Sequence, residues 1–160
     1  MGEIVFKHHG IVDKYLGDGF LAIFGAPVSG IVDADNAVTA AIEMKEAMGE
    51  LNDYWLKEIG DPLVIGISVH TGEVVVGNIG FDKKMDYTVI GDSVNTVFRL
   101  QELTKAYPNS ILISERTLRA VKADLNVREI DTRDAPSSIR DLEVYELTGT
   151  KQVGRKRAKR

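Results

Sequence analysis

The first candidate for chemistry is a carboxylate inside a short glycine-rich segment. Residues 14–20 read KYLGDGF, and the Asp-Gly pair within them is a strong signal for a tight turn between two strands. A carboxylate at such a turn is exposed and held in one direction. It suits Mg²⁺, which binds a few carboxylates together with phosphate and water oxygens. Because an Asp-Gly turn is more often only a turn, Asp18 becomes a metal-ligand candidate only in combination with other signals.

The second candidate is an amide and a guanidinium on one helix face. Residues 87–100 read YTVIGDSVNTVFRL, and either Asp92 or Ser93 could cap a helix that begins there. Asn95 and Arg99 lie four residues apart, so they share a face of that helix. Together they could bind a phosphate or a sugar. The alternative is that both are ordinary solvent-exposed side chains.

The third candidate is the glycine-rich stretch GISVHTGEVVVGNIG at residues 66–80. Glycines at this density in predicted strands indicate close approach of another backbone, or a loop that cradles a phosphate. The two standard nucleotide fingerprints, G-x-x-x-x-G-K-[ST] and G-x-G-x-x-G, are both absent. The stretch alone therefore leaves both interpretations open.

Taken together, the three segments resemble the catalytic domain of class III adenylate/guanylate cyclases, most closely the bacterial-type adenylate cyclases. KYLGDGFLAIFG, GISVHTGEVVVGNIG and YTVIGDSVNTVFRL occur in the family's order and spacing, within a match from about residue 10 to residue 120 and a looser one to 147. The resemblance implies conversion of ATP to 3′,5′-cyclic AMP and pyrophosphate, in intracellular signal transduction. The ribose 3′-hydroxyl would attack the α-phosphate, with two Mg²⁺ or Mn²⁺ ions in each complete site.

The resemblance also implies a role for each matching residue. Asp18 matches the second of two metal-binding aspartates, Asn95 would orient the ribose, and Arg99 would stabilise charge on the α-phosphate. Lys14 and Thr88 occupy the two base-selecting positions and favour ATP over GTP. Arg140 is a weaker candidate for contact with the terminal phosphates, because the family often has a lysine in that region.

One family motif is absent from these residues. The first metal aspartate normally lies in a segment such as F-x-D-I-x-G-F, and Asp13 does not occupy that motif position. The resemblance therefore implies an N-terminally truncated domain, or a protein whose start is misassigned. Such a chain would lack a central strand and half of its metal site, and it would be inactive as a fragment. The alternatives are a catalytically silent cyclase-homology domain, acting as a nucleotide-binding or regulatory dimerisation module, and a guanylate cyclase.

Composition and family together set expectations about partners. The net charge of −4 argues against general binding to nucleic acid. The absence of cysteine and of any apolar run near the ~20 residues that span a bilayer favours a cytoplasmic protein, or the cytoplasmic part of a membrane-anchored or multidomain one. The family implies a homodimer with shared active sites and an upstream sensor or regulatory domain.

The elements that must position these residues follow from pattern. The predicted fold class is α+β, an α/β sandwich, and the resemblance specifies a ferredoxin-like βαββαβ sheet with helices on one face and extra strands. We expect the cyclase domain over residues 1–148 and a basic tail or linker over 149–160. Helices are predicted at 4–9 (ended by Gly10), 33–57, 92–106 and 115–120, strands at 11–16, 20–24, 63–70, 73–76, 111–114, 126–130 and 142–147, and a loop at 77–86.

Two helices carry predicted inward faces. Apolar residues spaced by three and four indicate one face of the long helix, and a similar set indicates the face of the helix after residue 92. The first face comprises Ala37, Ala41, Met44, Met48, Leu51 and Trp55, and the second comprises Val94, Val97, Phe98 and Leu100.

Overall fold

A computed structural model describes residues 1–150 and confirms the α+β fold class. The predicted basic tail from residue 151 onward lies outside the described residues. No helix within residues 1–150 is long and apolar enough to cross a membrane. The elements in chain order are α1 (Gly2–Lys7), β1 (Gly10–Leu16), β2 (Gly19–Phe24), α2 (Asp33–Ile59), β3 (Ile67–Val69), β4 (Val75–Phe81), β5 (Lys84–Ile90), α3 (Asp92–Leu103), β6 (Ile111–Ser114), α4 (Glu115–Ala120), β7 (Leu125–Ile130), α5 (Ser137–Arg140) and β8 (Val144–Thr150).

The strands form one four-stranded sheet and two separate two-stranded ribbons. The sheet has the order β3-β6-β8-β7, in which β3 and β6 are parallel and the other pairs antiparallel. One ribbon is the β1–β2 hairpin, and the other joins β4 to β5. The candidate residues on strands lie in the ribbons, so the sheet acts as their support.

Helices cover both faces of the four-stranded sheet. Successive strand side chains point to opposite faces, so Ile111 and Ile113 of β6 pack towards α2 while Leu112 between them packs towards α3. Val38 and Ala41 belong to the first of these clusters. The helix that carries Asn95 and Arg99 thus lies on the face opposite α2, whereas helices on one face were expected.

A third apolar cluster fixes the β1–β2 hairpin to the rest of the domain. Val5 of α1 and Met44 of α2 form its buried centre with Ala40, and partly buried residues of β2 and β3 pack against it. Glu43 of α2 accepts from both the Lys7 ammonium and the His8 ring at 2.7 Å, which ties α1 to α2. The hairpin is therefore held through side chains, since neither of its strands is paired with the four-stranded sheet.

The prediction of a loop at residues 77–86 is wrong. β4 and β5 pair in unbroken register from Val75 opposite Ile90 to Phe81 opposite Lys84. A Cβ at Gly80 would lie 2.1 Å from the Lys84 carbonyl oxygen, so this glycine permits close approach of two backbones. The glycines and charges that suggested a loop belong to an exposed ribbon instead.

Other boundaries also differ from the prediction, and two of these differences have a clear cause. The strand predicted at 63–70 shortens to Ile67–Val69, because only these residues find a partner in β6, while Asn52 binds the Leu63 backbone. Gly10 does not end α1: His9 takes the left-handed conformation at φ 63°, and Gly10 begins β1. A Cβ on Gly10 would lie 2.6 Å from the Phe24 ring, which explains the glycine.

The predicted inward faces are partly confirmed. α2 buries Ala41, Met44 and Met48, but Leu51 and Trp55 are exposed on its last turns. α3 buries Leu100 completely, whereas Phe98 keeps 40% of its surface exposed. Periodicity identified the helices correctly, but it could not indicate where the sheet beneath them ends.

Candidate active site

Asp18 lies at the tip of the β1–β2 hairpin, as predicted. Leu16 pairs with Gly19, so the turn consists of Gly17 and Asp18 alone. Gly17 has φ 63°, and a left-handed glycine at the first central position is the type II′ pattern of a two-residue hairpin. The glycine that this turn requires is thus Gly17, which precedes the aspartate, and not Gly19, which follows it. Within residues 1–150 the exposed Asp18 carboxylate makes no hydrogen bond or ion pair, so it is free to bind an ion.

A single free carboxylate fits only part of a metal site. No group of three or more His, Cys, Asp or Glu side chains in residues 1–150 could hold a metal by itself. Mg²⁺, however, commonly keeps several waters and uses one or two carboxylates together with substrate phosphates. Asp18 therefore fits an ion that arrives with a triphosphate, and it does not fit a resident ion held by protein alone.

The two predicted base-selecting residues are in direct contact. Lys14 on β1 donates from Nζ to Oγ1 of Thr88 on β5, at 3.0 Å. Thr88 is buried, whereas the Lys14 side chain is partly exposed. The pair presents an ammonium donor directly beside a hydroxyl.

A third residue, Asp13, completes this contact and was missed by the sequence analysis as a site residue. Thr88 Oγ1 donates to Asp13 Oδ2 at 3.0 Å, and Lys14 Nζ lies 3.2 Å from the same oxygen. Neighbouring residues of a regular strand point to opposite faces, so Asp13 would be expected on the far side from Lys14. The strand is irregular here, because Val12 pairs with Ala22 and Lys14 with Leu21. Asp13 is the extra residue of a β-bulge, and no sequence pattern would have indicated it.

Asn95 and Arg99 lie one turn apart on α3, both exposed. Neither side chain has a hydrogen bond or ion pair among the residues that the structure describes. Arg99 therefore presents an unpaired guanidinium to solvent beside an amide, as a site for phosphate and sugar requires. Their meeting with Asp18 of a second chain stays a prediction.

The start of α3 is held differently from the predicted cap. Gly91 occupies the N-cap position, and neither Asp92 nor Ser93 caps the helix. Ser93 instead donates from Oγ to the Glu73 carbonyl at 3.0 Å, and a Cβ on Gly72 would collide with that hydroxyl at 2.2 Å. The glycine-rich stretch 66–80 thus supports α3 by close packing.

His70 lies in the same glycine-rich stretch and contacts the end of β6. Its Nδ1 is 2.8 Å from Ser114 Oγ at the end of β6. Burial, with a smaller contribution from the nearby Arg116 charge, lowers the pKa of His70 below its usual 6.5. The residue thus joins the stretch to the four-stranded sheet.

Arg140 is the last residue of α5. Its guanidinium reaches the Ala135 carbonyl at 3.5 Å, and it borders an open groove. The groove carries the carboxylates of Glu129, Asp131, Asp141 and Glu143 and the guanidiniums of Arg133 and Arg140. Arg133 is already paired with Asp131, which lowers the pKa of that carboxyl to about 2. An excess of carboxylates disfavours a triphosphate, and the role of Arg140 stays a prediction.

Comparison with known proteins places the domain in a family. Residues 2–149 match the family model described as the adenylate and guanylate cyclase catalytic domain. An adenylate cyclase of Anabaena cylindrica is 38% identical over 123 residues, which cover 74% of this chain and 24% of that protein. Adenylate cyclase 1 of Rhizobium meliloti is 29% identical over 147 residues, covering 92% and 22%. The chain thus spans about a quarter of the length of these relatives.

Solved structures named as adenylyl cyclases and as guanylyl cyclases have the same fold as this chain. The adenylyl cyclase CyaB from P. aeruginosa superposes with a TM-score of 0.80 at 32% identity, covering 94% of this chain and 77% of that one. The guanylyl cyclase Cya2 superposes with a TM-score of 0.77 at 34% identity, covering 96% and 77%. With a family match over nearly all described residues and these neighbours, the chain belongs to the adenylate and guanylate cyclase catalytic domain family.

Proposed function

We propose that this domain is the catalytic domain of an adenylate cyclase, which converts ATP to 3′,5′-cyclic AMP and pyrophosphate. The observation that carries the proposal is the 3.0 Å contact between Lys14 Nζ and Thr88 Oγ1. An ammonium can donate to adenine N1, while the hydroxyl oxygen beside it can accept from the exocyclic amine. Guanine presents the reverse order, an acceptor at O6 and a donor at N1, so it would leave polar atoms unpaired.

The other site residues would supply the chemistry of ring closure. The ribose 3′-hydroxyl loses its proton to solvent as its oxygen forms a bond to the α-phosphorus, and the bond from that phosphorus to the pyrophosphate oxygen breaks. Asn95 would hold the ribose in the attacking orientation, and Arg99 would stabilise negative charge on the α-phosphate oxygens. Asp18 would hold Mg²⁺ or Mn²⁺ against the phosphates, where the ion supplies charge neutralisation and a more acidic 3′-hydroxyl.

A second copy of the chain is the proposed partner. The β4–β5 ribbon exposes Val75, Phe81 and Met85, each by more than half of its surface. Large apolar side chains exposed along one ribbon are typical of contact surfaces. A two-fold homodimer would cover them and would bring Asp18 of one chain to Asn95 and Arg99 of the other. In the full-length protein, an upstream sensor domain would then regulate cyclic AMP signalling in the cytoplasm through this dimer.

One observation favours a second candidate function. Because residues 1–150 offer a single free carboxylate at the site, the domain could bind nucleotide without cyclising it. In that case it would act as a silent cyclase-homology domain that regulates a partner through dimerisation. The two candidates differ in product formation and agree in nucleotide binding.

The deciding experiment is formation of cyclic AMP from ATP with Mn²⁺ at high protein concentration. It compares this 160-residue chain with a longer form that supplies a second metal-binding aspartate. We expect product from the longer form. Asn95→Ala or Arg99→Ala in that form should lower kcat by about 10²–10³ with KM little changed, because both act on the transition state.

Arg119→Ala is the matched control. Arg119 is also an exposed helical arginine, but it pairs with Glu115 on α4, so its loss should leave kcat unchanged. Absence of product from a folded longer form would contradict the cyclase proposal and leave the silent domain in its place.

A further inference from the structure

Asp13 has no part in the proposed chemistry, yet it is the most deeply buried carboxylate of the candidate site. Its side chain is 0% exposed. Oδ2 accepts from Thr88 and lies beside Lys14, while Oδ1 is buried with no hydrogen-bond partner among the described residues. A buried, half-satisfied carboxylate destabilises a fold. The contacts of Oδ2 offset only part of that cost, and they direct attention to the effect of Asp13 on Thr88 and Lys14.

The contacts determine where the hydroxyl proton of Thr88 points. Thr88 Oγ1 lies 3.0 Å from Lys14 Nζ and 3.0 Å from Asp13 Oδ2. An ammonium only donates and a carboxylate only accepts, whereas a hydroxyl has one proton and two lone pairs. The proton of Thr88 must therefore point to Asp13, and one lone pair accepts from Lys14. Towards any third group, Thr88 can act only as an acceptor.

We propose that Asp13 is a specificity-determining positioning residue that keeps the Thr88 hydroxyl an acceptor; this inference rests on the proposed adenylate cyclase function. A threonine hydroxyl without such a constraint can rotate and donate to guanine O6 as readily as it accepts from the adenine amine. With its proton held by Asp13, it can accept from adenine and cannot donate to guanine. Without Asp13, Thr88 would lose its part in distinguishing the bases, and Lys14 alone would still favour adenine.

The β-bulge in β1 makes this arrangement possible. Asp13 and Lys14 both reach Thr88 because Asp13 is the extra residue between two paired positions. In a regular strand one of the two side chains would point away. The bulge thus places the Asp13 carboxylate and the Lys14 ammonium on the same side of the Thr88 hydroxyl.

The test is the ratio of dissociation constants for GTP and ATP, measured on the full chain. The probes are the α,β-methylene analogues of both nucleotides, which cannot release pyrophosphate, in competition with a fluorescent ATP derivative. We expect the wild-type chain to bind the ATP analogue more tightly. Asp13→Ala should bring the ratio about tenfold closer to one, the discrimination expected from one buried hydrogen bond.

Asp13→Asn is the conservative control. The Lys14 ammonium repels the amide NH₂ group, so the amide oxygen should stay beside Lys14 and Thr88 and keep the proton of Thr88 in place. We expect this variant to retain most of the wild-type ratio. In a Thr88→Val background, Asp13→Ala should change the ratio no further, because the hydroxyl through which Asp13 acts is gone.

The outcomes separate this inference from the function on which it rests. Circular dichroism and thermal unfolding establish that each variant is folded; if Asp13→Ala does not fold, Asp13→Leu replaces it, since leucine fills the buried volume and offers no acceptor to the Thr88 proton. An unchanged ratio in the folded variant overturns the role of Asp13 and leaves the adenylate cyclase proposal standing. A wild-type chain that binds the GTP analogue more tightly than the ATP analogue overturns both. If the wild-type chain binds neither analogue, the same ratio is measured on the longer form.

Discussion

Lys14 Nζ and Thr88 Oγ1 lie 3.0 Å apart although 74 residues separate them in the chain. The contact joins the β1–β2 hairpin to the β4–β5 ribbon, two pairs of strands that share no backbone ladder. The hairpin carries Asp18, and the ribbon leads directly into α3 with Asn95 and Arg99. The contact proposed to read the base therefore also holds together the two elements that carry the rest of the site.

Exchanging this pair should change the preferred base. The double variant Lys14→Glu with Thr88→Cys replaces a donor beside an acceptor by an acceptor beside a weak donor, which suits guanine. We expect the ratio of kcat/KM for ATP over GTP to fall by about 10- to 100-fold, since a buried mismatch costs about 1–3 kcal/mol. The ratio is measured with both nucleotides in the longer form. If it stays unchanged in a folded variant, these residues do not select the base.

Two inactive chains should restore activity when mixed. An Asp18→Ala chain keeps Asn95 and Arg99, whereas an Asn95→Ala chain keeps Asp18, so the mixed dimer contains one intact site. With random pairing we expect roughly a quarter of the wild-type rate, because half of the dimers are mixed and each has one working site of two. The control mixes two different Asp18 variants, Asp18→Ala and Asp18→Asn, which cannot form an intact site. Activity in the control, or none in the test mixture, would contradict shared sites.

Two neighbouring positions of α3 should differ sharply in their effect on stability. Leu100 is fully buried against the four-stranded sheet, whereas Phe98 is 40% exposed. Leu100→Ala should lower the free energy of unfolding by about 2–5 kcal/mol, the range for a leucine deleted from a core. Phe98→Ala should cost less than half as much. Urea unfolding of both variants at one protein concentration makes the comparison, and equal losses would show that Phe98 is covered in solution.

Stability should fall as the solution is made more acidic than pH 6.5, because of His70. Its folded pKa is lowered below 6.5 by burial and by Arg116, so the unfolded chain binds the proton at a higher pH than the fold does. The stabilising contribution is therefore fully present above pH 6.5 and decreases as the pH falls towards the folded pKa. Urea unfolding at several pH values from 7.5 to 5.5 measures this dependence.

His70→Asn is the control for this titration. Its amide can still bond to Ser114, but it does not titrate. The decrease in stability between pH 6.5 and 5.5 should be smaller in this variant than in the wild-type chain. The same decrease in both proteins would mean that another group is responsible.

Local patterns predicted most of the elements. The Asp33–Ile59 helix follows from apolar residues at a helical period, and the β1–β2 hairpin from an Asp-Gly turn signal between two apolar runs, although the turn itself is Gly17-Asp18. β6 and α4 begin and end at the predicted residues. These elements are encoded by residues near one another in the chain, so they can be recognised without a partner.

The β4–β5 ribbon was mistaken for a loop because its signal is not local. Gly77 and Gly80 lower the strand propensity, and nothing within residues 77–81 indicates that residues 84–88 pair with them. Pairing across the ribbon overrides that low propensity. Most of the predicted 63–70 strand does not form for the same reason, since pairing is decided by a distant partner. β6 provides partners for only three of its residues.

The sequence by itself determined which side chains are available for chemistry: an aspartate on a glycine turn, an asparagine and an arginine one helical turn apart, and the lysine and threonine of the family motifs. Only the tertiary structure decided that Asp13 joins Lys14 and Thr88, since a bulge and a distant strand place them together. It also decided that α3 lies opposite α2 and that the Arg140 groove is rich in carboxylates. Residue type and short spacing are properties of the chain, whereas register, burial and the direction of a hydroxyl proton depend on contacts between residues far apart in it.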